Sequence, residues 1–112
     1  MKEIKAYLRP ELAEKVITDL ELNGLKGMTV IDVSLLGNWA DPRRSKLSME
    51  YCEKYCNCTK IEFVCDDDEL DKMVGIILEK AHTGQKGDGK IFISNIYDAV
   101  SIRTKEHGIK SQ

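Results

Sequence analysis

The feature that most constrains the fold is a repeated change of hydrophobic period along the chain. Residues 2–8 and 59–65 alternate apolar and polar side chains, and each stretch is followed by helical spacing and then by another extended stretch. The helical spacing is clearest in the second unit, where the apolar residues are Leu70, Met73, Val74, Ile77, Leu78 and Ala81. Two successive β-α-β units predict an α+β domain of the ferredoxin-like type, with an antiparallel sheet and both helices on one face.

The predicted ends of the helices follow from particular residues. Pro10 suits the first turn of a helix, and Gly24 suits its end because glycine adopts the left-handed conformation without steric cost. The acidic residues 66–69 precede the second helix, where the helix dipole favours negative charge. Extended stretches are predicted at Met28–Leu35 and Ile91–Ile93. Because their apolar residues face both sides of the sheet, the second face also needs cover, and self-association is its simplest source.

Length and composition limit the classes of function. A chain of 112 residues with 42% hydrophobic and 32% charged residues is typical of one globular domain. The net charge of -2 gives no general reason to bind nucleic acid. No apolar run approaches the roughly 20 residues that span a bilayer, and the first residues lack the apolar region of a signal peptide. We therefore expect a cytoplasmic protein without direct membrane insertion, in which cysteines are more often thiols, ligands or switches than disulfides.

A glycine-rich stretch at residues 83–90 is the first candidate for chemistry. Gly87 and Gly89 would let backbone N–H groups close around phosphate oxygens, and Lys90 would add positive charge. The same residues also fit a tight turn before a strand, so their types alone leave both interpretations open. The stretch is neither a P-loop nor a dinucleotide-binding fingerprint, because it leads into a strand rather than a helix.

A longer pattern contains these glycines and reads Thr83-x-x-x-Gly87-Asp88-Gly89-Lys90-Ile91-Phe92-Ile93-x-x-Ile96. It resembles the C-terminal signature of the nitrogen regulatory P-II signal-transduction family. Three further triplets agree with that family: Gly27-Met28-Thr29, Lys60-Ile61-Glu62 and Ile102-Arg103-Thr104, the last in its basic C-terminal strand. The resemblance needs no gap between Met1 and about residue 107. It implies a homotrimer that binds ATP or ADP in clefts between subunits and regulates a target, such as a membrane transporter or an enzyme of nitrogen assimilation.

The resemblance also implies roles for individual residues. Gly27 and Thr29 would lie against the base and ribose, with Glu62 and Val64 near the adenine. The phosphates would be lined by Gly37, Gly87, Asp88, Gly89, Lys90 and Arg103. Three segments of the single domain 1–112 would correspond to the family's T-loop, B-loop and C-terminal segment: residues 37–58, 83–90 and 97–112.

Three departures from the family concern its ligands. Trp39 stands where the family has a glutamine that ligates magnesium, and an indole has no oxygen to offer. Cys58 replaces a lysine that pairs with a carboxylate of 2-oxoglutarate, and Ser101 replaces an arginine on the triphosphate. We expect ADP or AMP to be favoured relative to the family pattern, and magnesium-dependent binding of 2-oxoglutarate to be lost or weak.

The segment 37–58 has no sustained period, and long irregular loops in compact domains are usually functional or disordered. Trp39 is a candidate partner contact together with Arg43 and Arg44, or it folds back over the nucleotide or a neighbouring subunit. Tyr51 lies where some family members are nucleotidylylated. The family's glycine and small-residue context is missing around Tyr51, which favours an ordinary loop tyrosine.

The cysteines of this segment suggest a second class of function. Cys52, Cys56 and Cys58 fall within seven residues and form a candidate soft-metal or redox site, with Cys52 and Cys56 on one helix face if the segment coils. A metal- or redox-responsive module is thus the alternative, although incidental thiols are the favoured interpretation. Cys65 alternates with apolar residues and is predicted to be buried. An enzyme is the least favoured class, because the sequence shows no paired carboxylates and no histidine with a partner nucleophile.

Overall fold

A computed structural model describes residues 1–37, 46–48 and 53–108. The elements in chain order are β1 (Lys2–Leu8), α1 (Pro10–Leu22), β2 (Thr29–Leu36), β3 (Lys46–Ser48), β4 (Glu53–Cys65), a 3-10 turn (Asp67–Glu69), α2 (Leu70–Ala81) and β5 (Lys90–Asn95). The sheet is antiparallel in the order β2-β4-β1-β5, and the short β3 pairs with β4. The predicted α+β architecture of two β-α-β units is confirmed and is consistent with a ferredoxin-like fold.

The core lies between one face of the sheet and the two helices. Alternate residues of β1 and β4 are buried against both helices: Ile4, Ala6, Leu8, Ile61 and Phe63 pack on Val16 and Leu20 of α1 and on Met73 and Ile77 of α2. The predicted apolar stripe of α2 is confirmed at Met73, Ile77 and Ala81, but Leu78 is 56% exposed because it lies at the margin of the stripe. Neither helix is long and apolar enough to cross a membrane, as judged over the described residues.

The ends of the helices agree with the sequence-based prediction. Gly24 follows the cap of α1 with a φ of +102°, and its N–H donates to the carbonyl of Glu21 at 3.1 Å. The acidic residues after β4 form the 3-10 turn that leads into α2. His82 follows α2 as its C-cap, where its N–H donates to the carbonyl of Leu78. The glycine after α1 and the acidic turn before α2 therefore lie where the sequence predicted them.

Strands β2 and β4 extend further than the sequence pattern predicted. The segment 37–58 was expected to be irregular, but β4 begins at Glu53, and Cys56 and Cys58 pair with Leu35 and Val33 of β2. Both cysteines are buried while Asn57 between them is exposed, which is the alternation of a strand. The prediction was wrong here because two thiols separated by an amide give a weak hydrophobic period.

The outer face of the sheet, which points away from the helices, carries a small apolar cluster of its own. Leu35, Cys56 and Cys58 are buried there, with Tyr7 and Val33 packed against them. Side chains further along the same face remain partly open to solvent, including Ile31 at 38% and Phe92 at 49% exposure. The described residues thus cover only part of this second sheet face.

Candidate functional site

The glycine-rich loop, residues 83–90, is closed by the side chain of Asp88. Its Oδ2 accepts hydrogen bonds from the backbone N–H groups of Thr83 at 2.8 Å and Gly84 at 2.9 Å. Its Oδ1 accepts from the hydroxyl of Thr83, which in turn accepts from the N–H of Gln85 at 3.2 Å. The N–H of Asp88 donates to the carbonyl of Gln85 at 3.3 Å. The loop is therefore organised around one carboxylate.

Arg9 connects this loop to the body of the domain. Its Nε donates to Asp88 Oδ1 at 3.2 Å, and its Nη2 donates to the carbonyl of Lys86 at 3.1 Å. The residue is only 5% exposed and lies between β1 and α1. Sequence reasoning missed Arg9, because no motif or period marks an arginine that pairs with a residue 79 positions away.

The pKa of Asp88 reflects these contacts. Burial of the carboxyl opposes its ionisation, but hydrogen bonds from Thr83, Gly84 and Arg9 outweigh burial and hold the pKa well below its usual range. Asp88 is therefore a carboxylate at neutral pH. Both of its oxygens are engaged inside the loop, so its visible role is to organise the loop.

Gly89 fixes the end of the loop against β1. Its φ is +101°, and a Cβ at this position would stand 1.7 Å from the carbonyl oxygen of Tyr7. No other residue fits such an approach without displacing backbone. Gly87 also has a positive φ, of 103°, on the other side of Asp88. Backbone turns of this kind can present N–H groups to an anion.

The structure brings four of the predicted phosphate residues together. Gly87, Asp88 and Gly89 are consecutive at the end of the loop, and Lys90 follows as the first residue of β5, paired with Tyr7 and exposed to solvent. A cleft of about 410 Å³ lies beside them, between α2 and β5, and includes Asp88, Gly89 and Lys90 in its lining. This end of the loop could therefore hold an anionic group next to a cavity.

The residues predicted near the base form a second group. Thr29 pairs with Glu62 across β2 and β4, Gly27 precedes β2, and Val64 shares the outer face with Glu62. The Glu62 carboxylate lies 2.6 Å from the Lys60 ammonium. The hydrogen bond from Lys60 lowers the pKa of Glu62, so this carboxyl is ionised at neutral pH.

Within one chain the two groups lie on different parts of the sheet. Strand β2, which follows Gly27 and carries Thr29, and strand β5, which carries Lys90, are opposite edges of the order β2-β4-β1-β5. Three strand spacings of about 4.8 Å separate these edges by about 14 Å. Gly37 lies just after β2, near neither group along the sheet. Within one chain the two groups are therefore not in contact with each other.

Arg103 lies on a hairpin formed by residues 99–108. The hairpin is closed by a bridge between Val100 and His107 and by a hydrogen bond from the Ser101 N–H to the Glu106 carbonyl at 2.9 Å. Residues 102–104 were predicted as part of a strand, but they form the turn of this hairpin. The reason is local, since the Lys105 N–H donates back to the Ser101 carbonyl at 2.8 Å. Arg103 is therefore presented on an exposed tip.

The candidate metal residues lie differently from the sequence-based expectation. Cys56 belongs to strand β4 and not to a helix, and Cys52 lies outside the described residues. The Cys58 thiol donates to the carbonyl of Leu8 at 3.0 Å. Burial, with a smaller contribution from Cys56, raises the pKa of the Cys58 thiol to about 11. Among residues 1–37, 46–48 and 53–108 no group of three potential ligands is arranged to hold a metal ion.

The remaining residues divide between the core and the undescribed part of the chain. Cys65 is buried at 7% exposure, which confirms its predicted place in the core. Five of the residues that sequence reasoning selected lie outside the described residues: Trp39, Arg43, Arg44, Tyr51 and Cys52.

Comparison with known proteins gives matches along nearly the whole chain. The family model described as "Nitrogen regulatory protein P-II" matches residues 1–106. The chain is 44% identical over 108 residues to nitrogen regulatory protein P-II 1 of Methanothermobacter thermautotrophicus, covering 96% of this chain and 94% of the relative. It is 37% identical over 109 residues to the P-II protein of Bradyrhizobium diazoefficiens, covering 97% of each chain. The P-II protein of Pyropia yezoensis is 39% identical over 106 residues, covering 95% of each chain.

Proposed function

Because the chain belongs to the nitrogen regulatory protein P-II family, we propose that it is a signal-transduction regulator that senses adenine nucleotides. Its relatives are named as regulatory proteins, which fits a regulator rather than an enzyme. The nucleotide is ADP or ATP, with AMP as a further candidate, and it binds in clefts between the subunits of a homotrimer.

The geometry of the glycine-rich loop is the observation that carries this proposal. Gly89 packs on the Tyr7 carbonyl where no side chain fits, and Asp88 holds the loop in one turn. The loop therefore ends in a fixed backbone arrangement with Lys90 exposed beside it. Backbone N–H groups and one ammonium are suitable donors for a diphosphate or triphosphate.

A cleft between subunits fits the position of the two residue groups. Of the base and ribose residues, Thr29 lies on the edge strand β2 and Glu62 on the adjacent β4, whereas the phosphate residues lie at the β5 edge. A head-to-tail trimer places different edges of neighbouring chains together and can join the two groups into one site. The edges also carry exposed apolar side chains that a neighbour would cover, such as Val30 at 50% and Ile93 at 48% exposure.

Binding of 2-oxoglutarate is not expected. Position 58 offers a buried, neutral thiol that donates to the Leu8 carbonyl, and a neutral thiol supplies no positive charge to a carboxylate. Ser101 likewise supplies no positive charge to a triphosphate, which favours ADP or AMP over ATP relative to the family pattern. The protein would then report adenylate state without responding to the oxoacid.

The part of the segment 37–58 that precedes β4 is proposed to engage the target protein. The target is a membrane transporter or an enzyme of nitrogen metabolism, and Trp39, Arg43 and Arg44 are the candidate contacts. Nucleotide in the neighbouring cleft would change how this segment presents those residues.

The test is calorimetry with ADP on the Lys90→Ala variant. If Lys90 supplies charge to the phosphates, its removal should weaken ADP binding about tenfold or more, the scale of one charge-assisted hydrogen bond. Lys80→Ala is the matched control, because Lys80 is an exposed residue of α2 outside the proposed site. Unchanged ADP affinity in the Lys90 variant would contradict the assignment of the phosphate site.

A further inference from the structure

Arg9 is buried, charged and directed at the glycine-rich loop rather than at solvent. Its guanidinium reaches both the carboxylate of Asp88 and the backbone carbonyl of Lys86. An arginine side chain that is only 5% exposed is costly to bury unless the partners of its charge are well placed. Because both acceptors belong to the same loop, the loop stabilises the buried charge of Arg9, and Arg9 in turn stabilises the conformation of the loop.

The ion pair between Arg9 and Asp88 also changes the net charge that the loop presents to a ligand. A carboxylate between Gly87 and Gly89 stands where an anionic ligand is proposed to bind, and like charges in such a place repel. Arg9 supplies a compensating positive charge at 3.2 Å from Asp88 Oδ1. The N–H groups of Thr83 and Gly84 occupy the other oxygen, Oδ2. The loop can therefore contain an acid and still be neutral enough to receive a phosphate.

The backbone of Arg9 is itself firmly held. Its carbonyl accepts the first hydrogen bonds of α1, from the N–H groups of Leu12 at 3.0 Å and Ala13 at 3.1 Å. Two residues earlier in the chain, the backbone carbonyl of Tyr7 packs closely against Gly89. The end of β1 thus holds the loop at two places, through a side chain at Arg9 and through backbone contact at Tyr7.

We propose that Arg9 is a positioning residue that holds the glycine-rich loop, through Asp88 and the Lys86 carbonyl, in the conformation that receives the phosphates of a nucleotide. The part about phosphates rests on the proposed function, whereas the part about the loop does not. Arg9 acts through Asp88 and is not itself assigned a contact with the ligand.

Hydrogen exchange without any ligand tests the hold on the loop. In the Arg9→Gln variant the amides of residues 83–88 should exchange about tenfold faster or more, as expected from loss of a charge-assisted bond, while those of α2 keep their rates. Lys15→Gln removes one positive charge from an exposed position of α1 and should leave both regions unchanged. Unchanged exchange of residues 83–88 in Arg9→Gln would overturn the proposal.

Two further variants keep the test decisive if Arg9→Gln folds poorly. Arg9→Lys retains the charge but not the fork of donors, so the exchange rates of the loop should be intermediate. Asp88→Asn preserves the shape of the acceptor and removes its charge, so the amides of Thr83 and Gly84 should also exchange faster. Wild-type exchange rates in both Arg9→Lys and Asp88→Asn would contradict the proposed role of the Arg9–Asp88 contact.

Calorimetry with ADP and with adenosine tests the link to phosphates. A positioning role predicts that Arg9→Gln weakens ADP binding about tenfold or more and leaves adenosine affinity unchanged, because adenosine has no phosphate. Equal loss for both ligands would indicate general damage to the fold and would contradict the proposal. If the wild-type protein binds neither ligand, the proposed function fails, and the exchange experiment still decides whether Arg9 positions the loop.

Discussion

Replacement of Gly89 by alanine isolates the contact that fixes the glycine-rich loop. The added Cβ would stand 1.7 Å from the backbone carbonyl oxygen of Tyr7 and 2.8 Å from the carbonyl carbon. Both are backbone atoms of the central strand β1, so no side chain can rotate away to relieve the overlap. The φ of +101° adds strain of its own, since alanine rarely adopts it.

A second glycine, Gly24, allows the backbone strain to be measured separately from the steric overlap. Gly24 has a φ of +102°, and no atom of the described residues lies within 4 Å of the position where a Cβ would stand. Gly24→Ala therefore carries the backbone strain alone, about 1–2 kcal/mol. Gly89→Ala carries the same strain and the overlap with β1, which adds about 1–3 kcal/mol when backbone must shift. The entropy that alanine removes from the unfolded chain is similar in both variants and cancels in the comparison.

Urea unfolding of the two variants at equal chain concentration measures the difference. Equal concentration is required because subunit association would contribute to apparent stability. We expect Gly89→Ala to lose more free energy of unfolding than Gly24→Ala and also to lose affinity for ADP, which Gly24→Ala should retain. Losses that agree within about 0.5 kcal/mol would refute the close contact between Gly89 and Tyr7 as the reason for glycine.

Two further predictions concern pH and the oxoacid. Because the folded-state pKa of Asp88 is lowered, its contribution to stability is present above the ordinary carboxyl pKa of about 4 and is lost as the pH falls towards the folded value. The difference in free energy of unfolding between wild type and Asp88→Asn should therefore be constant from about pH 7 to 5 and shrink in more acidic urea titrations; a constant difference down to about pH 2 would contradict it. Calorimetry of 2-oxoglutarate in the presence of ATP and magnesium should show no binding, since position 58 offers a neutral thiol; saturable heat at micromolar oxoacid would show that this reasoning is wrong.

The sequence was sufficient to predict features that depend on local chemistry. The two β-α-β units, the stripe of α2 and the glycine after α1 are confirmed because hydrophobic period and backbone preference act within a few residues. The glycine-rich loop could be located in the same way. Its need for glycine at position 89 could not be predicted, because that need arises from the Tyr7 carbonyl on another strand.

The features that sequence reasoning missed depend on distant contacts or on weak patterns. Arg9 and Asp88 are 79 positions apart, and only the pairing of β1 with β5 brings them together. Strand β4 begins early because its thiols are buried against β2, although cysteine and asparagine alternate without a strong period. Residues 102–104 form a turn because hydrogen bonds around Ser101 close a hairpin. The residue types in this stretch do not predict that hairpin.

Native mass spectrometry with ADP tests the central claim most directly, because one spectrum reports both assembly and ligand. We expect a trimer that carries one ADP per chain at saturation, with no ADP retained on any dissociated monomer. The last point follows because Thr29 and Lys90 lie on opposite edge strands of one sheet. A stable monomer or dimer, or a trimer that remains free of ADP, would contradict a nucleotide site built between subunits.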